Sequence, residues 1–80
     1  MSNFVSVKYL ANKERVCASD LEGIKGGVVV NVNLISSVSL DKMWDIGLRI
    51  TYCELKMSNG NIFYLPPSEG SKLRTIIINL

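Results

Sequence analysis

Histidine is absent from this 80-residue chain, and with it goes much of the usual catalytic repertoire. Imidazole is the common general base beside a Ser or Cys nucleophile, a ligand in most zinc sites, and the side chain that titrates nearest neutral pH. Cysteine is scarce as well. Cys17 and Cys53 stand far apart, outside any Cys-x-x-Cys pair and too few for a four-thiolate zinc site. Met1-Ser2-Asn3 lacks the positive patch and apolar stretch of an export signal, so both cysteines are expected to be free thiols in a cytoplasmic protein. The glycines Gly23, Gly26 and Gly27 have neither phosphate-loop spacing and read as turn residues. Apolar runs such as Val28-Val29-Val30 and Ile76-Ile77-Ile78 fall far short of the roughly 20 residues that span a bilayer, so no membrane segment is expected. Basic residues never occur two in a row, and the net charge of +2, from nine Lys/Arg and seven Asp/Glu, is too small to imply nucleic acid or anionic lipid. The remaining carboxylate pairs, Asp41 with Asp45 and Asp20 with Glu22, read as solvated turn residues. These absences point away from an enzyme and from any cofactor or metal.

What is present is apolar. Hydrophobic residues make up 48% of the chain and mean hydropathy is +0.24, high for a single domain of residues 1–80. Small domains have proportionally more surface, so the surplus must lie exposed or be buried against a partner, and a homo-oligomer, in the first place a dimer, is expected.

The stretch from Leu48 onward has the clearest pattern. Asn59-Gly60 separates two strand-like runs, Leu48 to Met57 and Ile62 to Leu65, and Pro66-Pro67 follows. Asn-Gly favours a two-residue type I′ turn. In that register Met57 faces Ile62, Leu55 faces Tyr64 and Cys53 faces Pro66, giving one apolar side. Tyr52, Glu54, Lys56, Phe63 and Leu65 share the other. Cys53 then packs as a small hydrophobe.

Upstream, Asn3 to Leu10 reads as a first strand with Val5, Val7 and Tyr9 on one face. Ala11 to Glu14 reads as a polar turn and Arg15 to Ala18 as a short second strand. Ser19 and Glu22 have the spacing of a capping box for one helical turn, which Gly23 stops. Val28 to Val32 is strongly strand-like and is expected at the centre of the sheet. Leu34-Ile35 is a short turn, Ser36 to Leu40 resumes extended structure, and Asp41 to Gly47 is a loop. From Ser68 the period becomes helical: Leu73, Ile76, Ile77 and Leu80 fall at i, i+3, i+4 and i+7, with Ser68 or Ser71 to cap and Glu69 in the first turn. A strand over the β-branched Thr75-Ile76-Ile77-Ile78 is the competing reading. The expected fold is α+β, mainly β: a small antiparallel sheet or partly open barrel of four to six strands with a C-terminal helix.

Two kinds of binding surface remain. Met43 and Trp44 in the 41–47 loop, with Phe63 and Leu65 on the hairpin, are candidate anchors for a protein partner or a second copy. Lys42, Arg49, Tyr52 and Lys56 interleave charge with an aromatic and form the alternative, a nucleic-acid face that grips by stacking and phosphate contact. The run Val30-Asn31-Val32-Asn33-Leu34-Ile35-Ser36-Ser37-Val38, then an apolar strand, Ser58-Asn59-Gly60, a second strand and a Ser-led helix, resembles the second half of LytTR-type DNA-binding domains. There a VN-x-x-x-I segment precedes an L-x-x-NG hairpin. The likeness covers about residues 28–75 and implies a DNA-binding regulator. This chain departs from that pattern in its short first half, and the family's DNA-contacting basic loop has no clear counterpart. The expectation is a small binding module, acting as a homo-oligomer or as a modulator of a larger protein, of the economical size of phage and mobile-element accessory proteins. The alternative is a nucleic-acid-binding regulator.

Overall fold

Two strands, β6 (Ile50–Met57) and β7 (Ile62–Leu65), form the hairpin at the centre of the fold. They are seen in a computed structural model that describes residues 3–47 and 49–79. Leu48 and Leu80, each named in the sequence reading, lie outside the described residues. The turn differs from the type I′ expectation. Gly60 N donates to Met57 O at 3.0 Å and Met57 N to Asn61 O at 2.9 Å, which closes a three-residue loop. Gly60 alone takes positive φ, +94°; Asn59 does not, and its Oδ1 instead accepts from Asn61 N. A three-residue loop moves the register by one place, so Leu55 faces Phe63, Cys53 faces Leu65 and Glu54 faces Tyr64.

That shift decides which side chains go inside. Cys53, Leu55, Phe63 and Leu65 share a face and form one core with Val7, Val30 and Leu73. Tyr52 and Tyr64 share the other, packed edge-on at 5.8 Å in a second core with Leu10, Ala11 and Leu21. The hairpin is therefore buried on both sides.

The other strands are built around it. β1 (Phe4–Tyr9) bends at Leu10 into the two-residue β2 (Ala11–Asn12), which pairs with β7. β4 (Ile35–Val38) and β5 (Lys42–Trp44) lie along the outer side of β6, so part of the expected 41–47 loop is a strand paired from Lys42↔Tyr52 to Trp44↔Ile50. β3 (Gly26–Asn31) pairs with β1 alone, from Phe4↔Asn31 to Tyr9↔Gly26, and is an edge strand, not the central one its composition suggests. Arg15 to Ala18 forms no strand; Cys17, not Ser19, opens the 3-10 turn Ala18–Leu21, with its N–H donating to Asp20 Oδ2 at 3.0 Å. The sheets are antiparallel and do not close into a barrel.

Helix α1 (Pro67–Ile78) starts at Pro67, earlier than a serine cap would place it, because proline's fixed φ and missing N–H suit the first helical position. The strand alternative for Thr75 to Ile78 is excluded. Leu73 is fully buried, Ile76 and Ile77 are half-buried, and Ile78 faces outward. The helix approaches β6 closely at Gly70, beside Cys53.

Candidate functional site

The backbone of a strand edge is a binding group in its own right: its outward N–H and C=O groups accept another strand unless something covers them. The bond from Val32 N to Asn3 O, 2.8 Å, continues the β1–β3 register by one pair and fixes its parity. Bonded pairs alternate along antiparallel strands, so Val5/Val30, Val7/Val28 and Tyr9/Gly26 turn their polar groups toward each other. Those of Ser6 and Lys8 point away from β3, and those of Gly27, Val29 and Asn31 point away from β1.

The β1 side is covered by α1. Lys8 N donates to Glu69 Oε1 at 2.8 Å, and Lys72 Nζ donates to Ser6 O at 2.8 Å. Glu69 and Lys72 also pair with each other at 3.5 Å, so a single helical turn occupies the middle of that edge, taking Ser6 O and Lys8 N. On the side of β6, the β4–β5 edge is broken. The β4 register shifts between Ile35 and Ser37, and from Val38 to Lys42 the edge advances four positions while β6 retreats three, from Leu55 to Tyr52. Ser39 O accepts from Arg74 Nη1 at 2.8 Å, and Lys42 Nζ is held on Glu54 at 3.0 Å. Bulges and charges of this kind blunt an edge. A shallow apolar groove of about 210 Å³ adjoins this edge, between Ile35, Val38, Arg74, Ile77 and Ile78. β2, at two residues, is too short to take a strand.

β3 has none of these protections. Gly26–Asn31 carries no charge, no proline and no register break, and Val29 is 63% exposed. Among the described residues no other element is paired to its outer side. Exposed apolar residues gather here: Phe4 and Val29 on the outward face of the ribbon, Ile24 before β3, and Leu34 after it.

The residues singled out in the sequence do not converge. Phe63 and Leu65 are 5% and 0% exposed, so neither is a surface anchor; the one-place register shift turned them into the core. Trp44 is half-buried against the Tyr52/Tyr64 core, and its Nε1 donates to Ile46 O at 3.2 Å. Met43 is 60% exposed on β5, apart from that core. In the nucleic-acid set, Tyr52 is buried edge-on against Tyr64 and presents no stacking face. The Glu54 carboxylate hydrogen-bonds Lys42 and raises its pKa. Arg49 lies 3.5 Å from Asp45, and Lys56 is exposed at the far end of β6.

The two thiols behave differently. Cys53 is fully buried; its thiol donates to Asp41 Oδ1 at 3.1 Å, with Arg74 Nη1 at 3.6 Å, and burial pushes its pKa up. A thiol held protonated is a poor nucleophile. Cys17 is exposed and hydrogen-bonds Asp20 Oδ2 at 3.0 Å, a carboxylate that also pairs with Lys13. No group of three or more metal-ligating side chains occurs among the described residues, and no helix among them is long and apolar enough to cross a membrane.

Sequence reasoning passed over the β3 edge, although its signal was present: an uncharged, β-branched run bounded by glycine and asparagine. No family model matches this chain, and no curated protein and no solved structure is detectably similar to it, so the likeness to LytTR-type domains remains one of strand and turn order.

Proposed function

We propose that this chain is a non-enzymatic protein-binding module that takes an extended protein strand onto the open edge of β3. The observation that carries the reading is the contrast between edges. Glu69 and Lys72 cover β1, bulges and Arg74 interrupt β4 and β5, and six straight, uncharged residues of β3 are left open. Backbone bonds from Gly27, Val29 and Asn31 supply affinity, and the apolar residues about the ribbon supply contact. Nucleic acid fits this edge poorly, because β3 brings no positive charge to neutralise phosphate.

The test is a titration followed by amide NMR with an acetylated, amidated peptide of alternating Thr and Val. Shifts confined to β3, with slowed exchange of the Gly27, Val29 and Asn31 amides, are the expected result. The same peptide N-methylated at alternate residues should leave them unmoved. Val29→Pro removes one outward donor without touching a β1–β3 bond, a placement an edge strand tolerates, and should weaken peptide binding at least tenfold in a folded protein. If neither a strand peptide nor raised protein concentration perturbs β3, the reading fails.

A further inference from the structure

We infer that the strand the β3 edge takes is β3 of a second copy, antiparallel, about a twofold axis through Val29. This rests on the strand-addition reading above and adds the partner and its register. The outward residues Gly27, Val29 and Asn31 are spaced symmetrically about Val29, so the edge is complementary to itself. Val29 faces Val29 of the second copy, and Gly27 faces its Asn31. The Val29 pair exchanges two bonds and each Gly27/Asn31 pair adds the bond from Asn31 N to Gly27 O, about four in all, because Asn31 O already caps the 3-10 turn Val32–Leu34. A shift of two residues leaves Gly27 against Val29 and sets Asn31 against Lys25, losing a pair from the strand. A shift of one turns outward groups against inward ones and bonds nothing.

Side chains agree with that register. Val28 faces Val30 of the second copy on the core side of the ribbon, so the row of inward valines continues across the axis. β3 has no charge to oppose, and Lys25 lies just before it, outside the paired residues. Ile24, 58% exposed, and Leu34, 51% exposed, flank the two ends of β3, so the antiparallel pairing brings one toward the other. Closure follows as well. A twofold pair consumes the open edge of both copies, and the outer strands of the resulting β1-β3-β3-β1 sheet are the ones that Glu69 and Lys72 cover. The product is a closed dimer, not a fibre. A single strand pair about 20 Å long buries less than a standard interface of roughly 800 Å² per partner, so the dimer should form weakly and reversibly.

Disulfide trapping reads the register directly. Cys17 is exposed and is replaced first, Cys17→Ser; Cys53 is buried and stays. In that background Val29→Cys places two thiols across a bonded pair, with Cα atoms about 5.5 Å apart, and mild oxidation should link nearly all the protein as dimer. Gly27→Cys alone and Asn31→Cys alone should not link, whereas the two mixed should. The Gly27 position has room, since an added Cβ meets only Val7 O at 3.4 Å. Sedimentation of the parent should give a mass that rises from 8.9 kDa toward twice that over about 1–100 μM. Equal linking of all three single variants would mean random collision and overturn the inference. So would a dimer by mass in which Val29→Cys fails to link, or a chain monomeric throughout. In that last case, strand-peptide shifts on β3 would leave the module reading standing without self-pairing.

Discussion

Replacing Gly70 by alanine tests how closely α1 sits on the sheet, because two well-understood effects predict opposite signs. Alanine is better than glycine inside a helix by about 1 kcal/mol, so on propensity alone the variant gains stability. Packing says otherwise. A Cβ at Gly70 would stand 2.7 Å from the Cys53 Cβ and closer still to its Sγ, with Arg74 Nη1 at 3.4 Å. The Cys53 Cβ belongs to the central strand and cannot rotate aside, so the helix must lift from β6 or the strand must bend. Overpacking of this kind costs about 1–3 kcal/mol, and a backbone-anchored clash belongs at the upper end. Taking about 3 and subtracting about 1 for propensity leaves a loss of about 2 kcal/mol. In a domain of this size that lowers Tm by roughly 8–16 °C. Urea unfolding followed by circular dichroism gives the free energy, with an unchanged m-value showing that the fold is kept. Cys53→Ala in the same chain removes the Sγ but leaves the Cβ, so the double variant should recover part of the loss and not all of it. A Gly70→Ala protein that melts at or above the parent would refute the close approach.

Leu73 and Ile78 lie on the same helix with opposite exposure, 0% and 80%; Leu73→Ala should cost about 2–5 kcal/mol in urea unfolding and Ile78→Ala less than about 0.5. Comparable losses would mean that the helix is rotated from the position described. The Asp20 carboxylate is held well below the usual carboxylate range, first by the hydrogen bond from the Cys17 thiol and then by Lys13 and the Cys17 N–H. A lowered folded-state pKa stabilises at pH values above the ordinary carboxylate pKa and is lost on acidification through the folded one. Urea midpoints should therefore fall from pH 7 toward pH 2, and Asp20→Asn should flatten that fall; an unchanged pH dependence in the variant would remove Asp20 from the account.

The hairpin was legible in the sequence because Asn59-Gly60 between two apolar runs has few other meanings, but its register was not. Both loop lengths put a glycine at positive φ, and they differ only in whether Asn59 joins it. Alternation usually arbitrates, since one face of a strand is wet. Here both faces are covered over residues 63–65 of β7 and the β6 residues beside them, so Phe63 and Tyr64 suit either side, and Phe63 and Leu65 lie in the interior. β5 escaped notice because three residues ending in Trp44 carry no periodicity. The helix was legible from Leu73, Ile76 and Ile77, whereas the work of Glu69 and Lys72 on β1 depends on tertiary placement and leaves no local mark. The Val28 to Val32 run has the composition of a central strand, yet β3 is an edge. An edge with the composition of a centre is the observation on which self-pairing rests.

The capping of β1 by α1 also bears on how the protein is made. Lys8 and Glu69 are 61 positions apart in the chain, and Ser6 and Lys72 are 66 apart. During synthesis β1 and β3 can pair as soon as both have left the ribosome, whereas the groups that shield the far side of β1 are added much later. For that interval the ribbon is open on both margins, and on a polysome neighbouring nascent chains carry the same two margins at high local density. Production of soluble protein should therefore respond to the timing of the last helix: slow codons after β3 and up to the end of α1 lengthen the exposed interval, and fast ones shorten it.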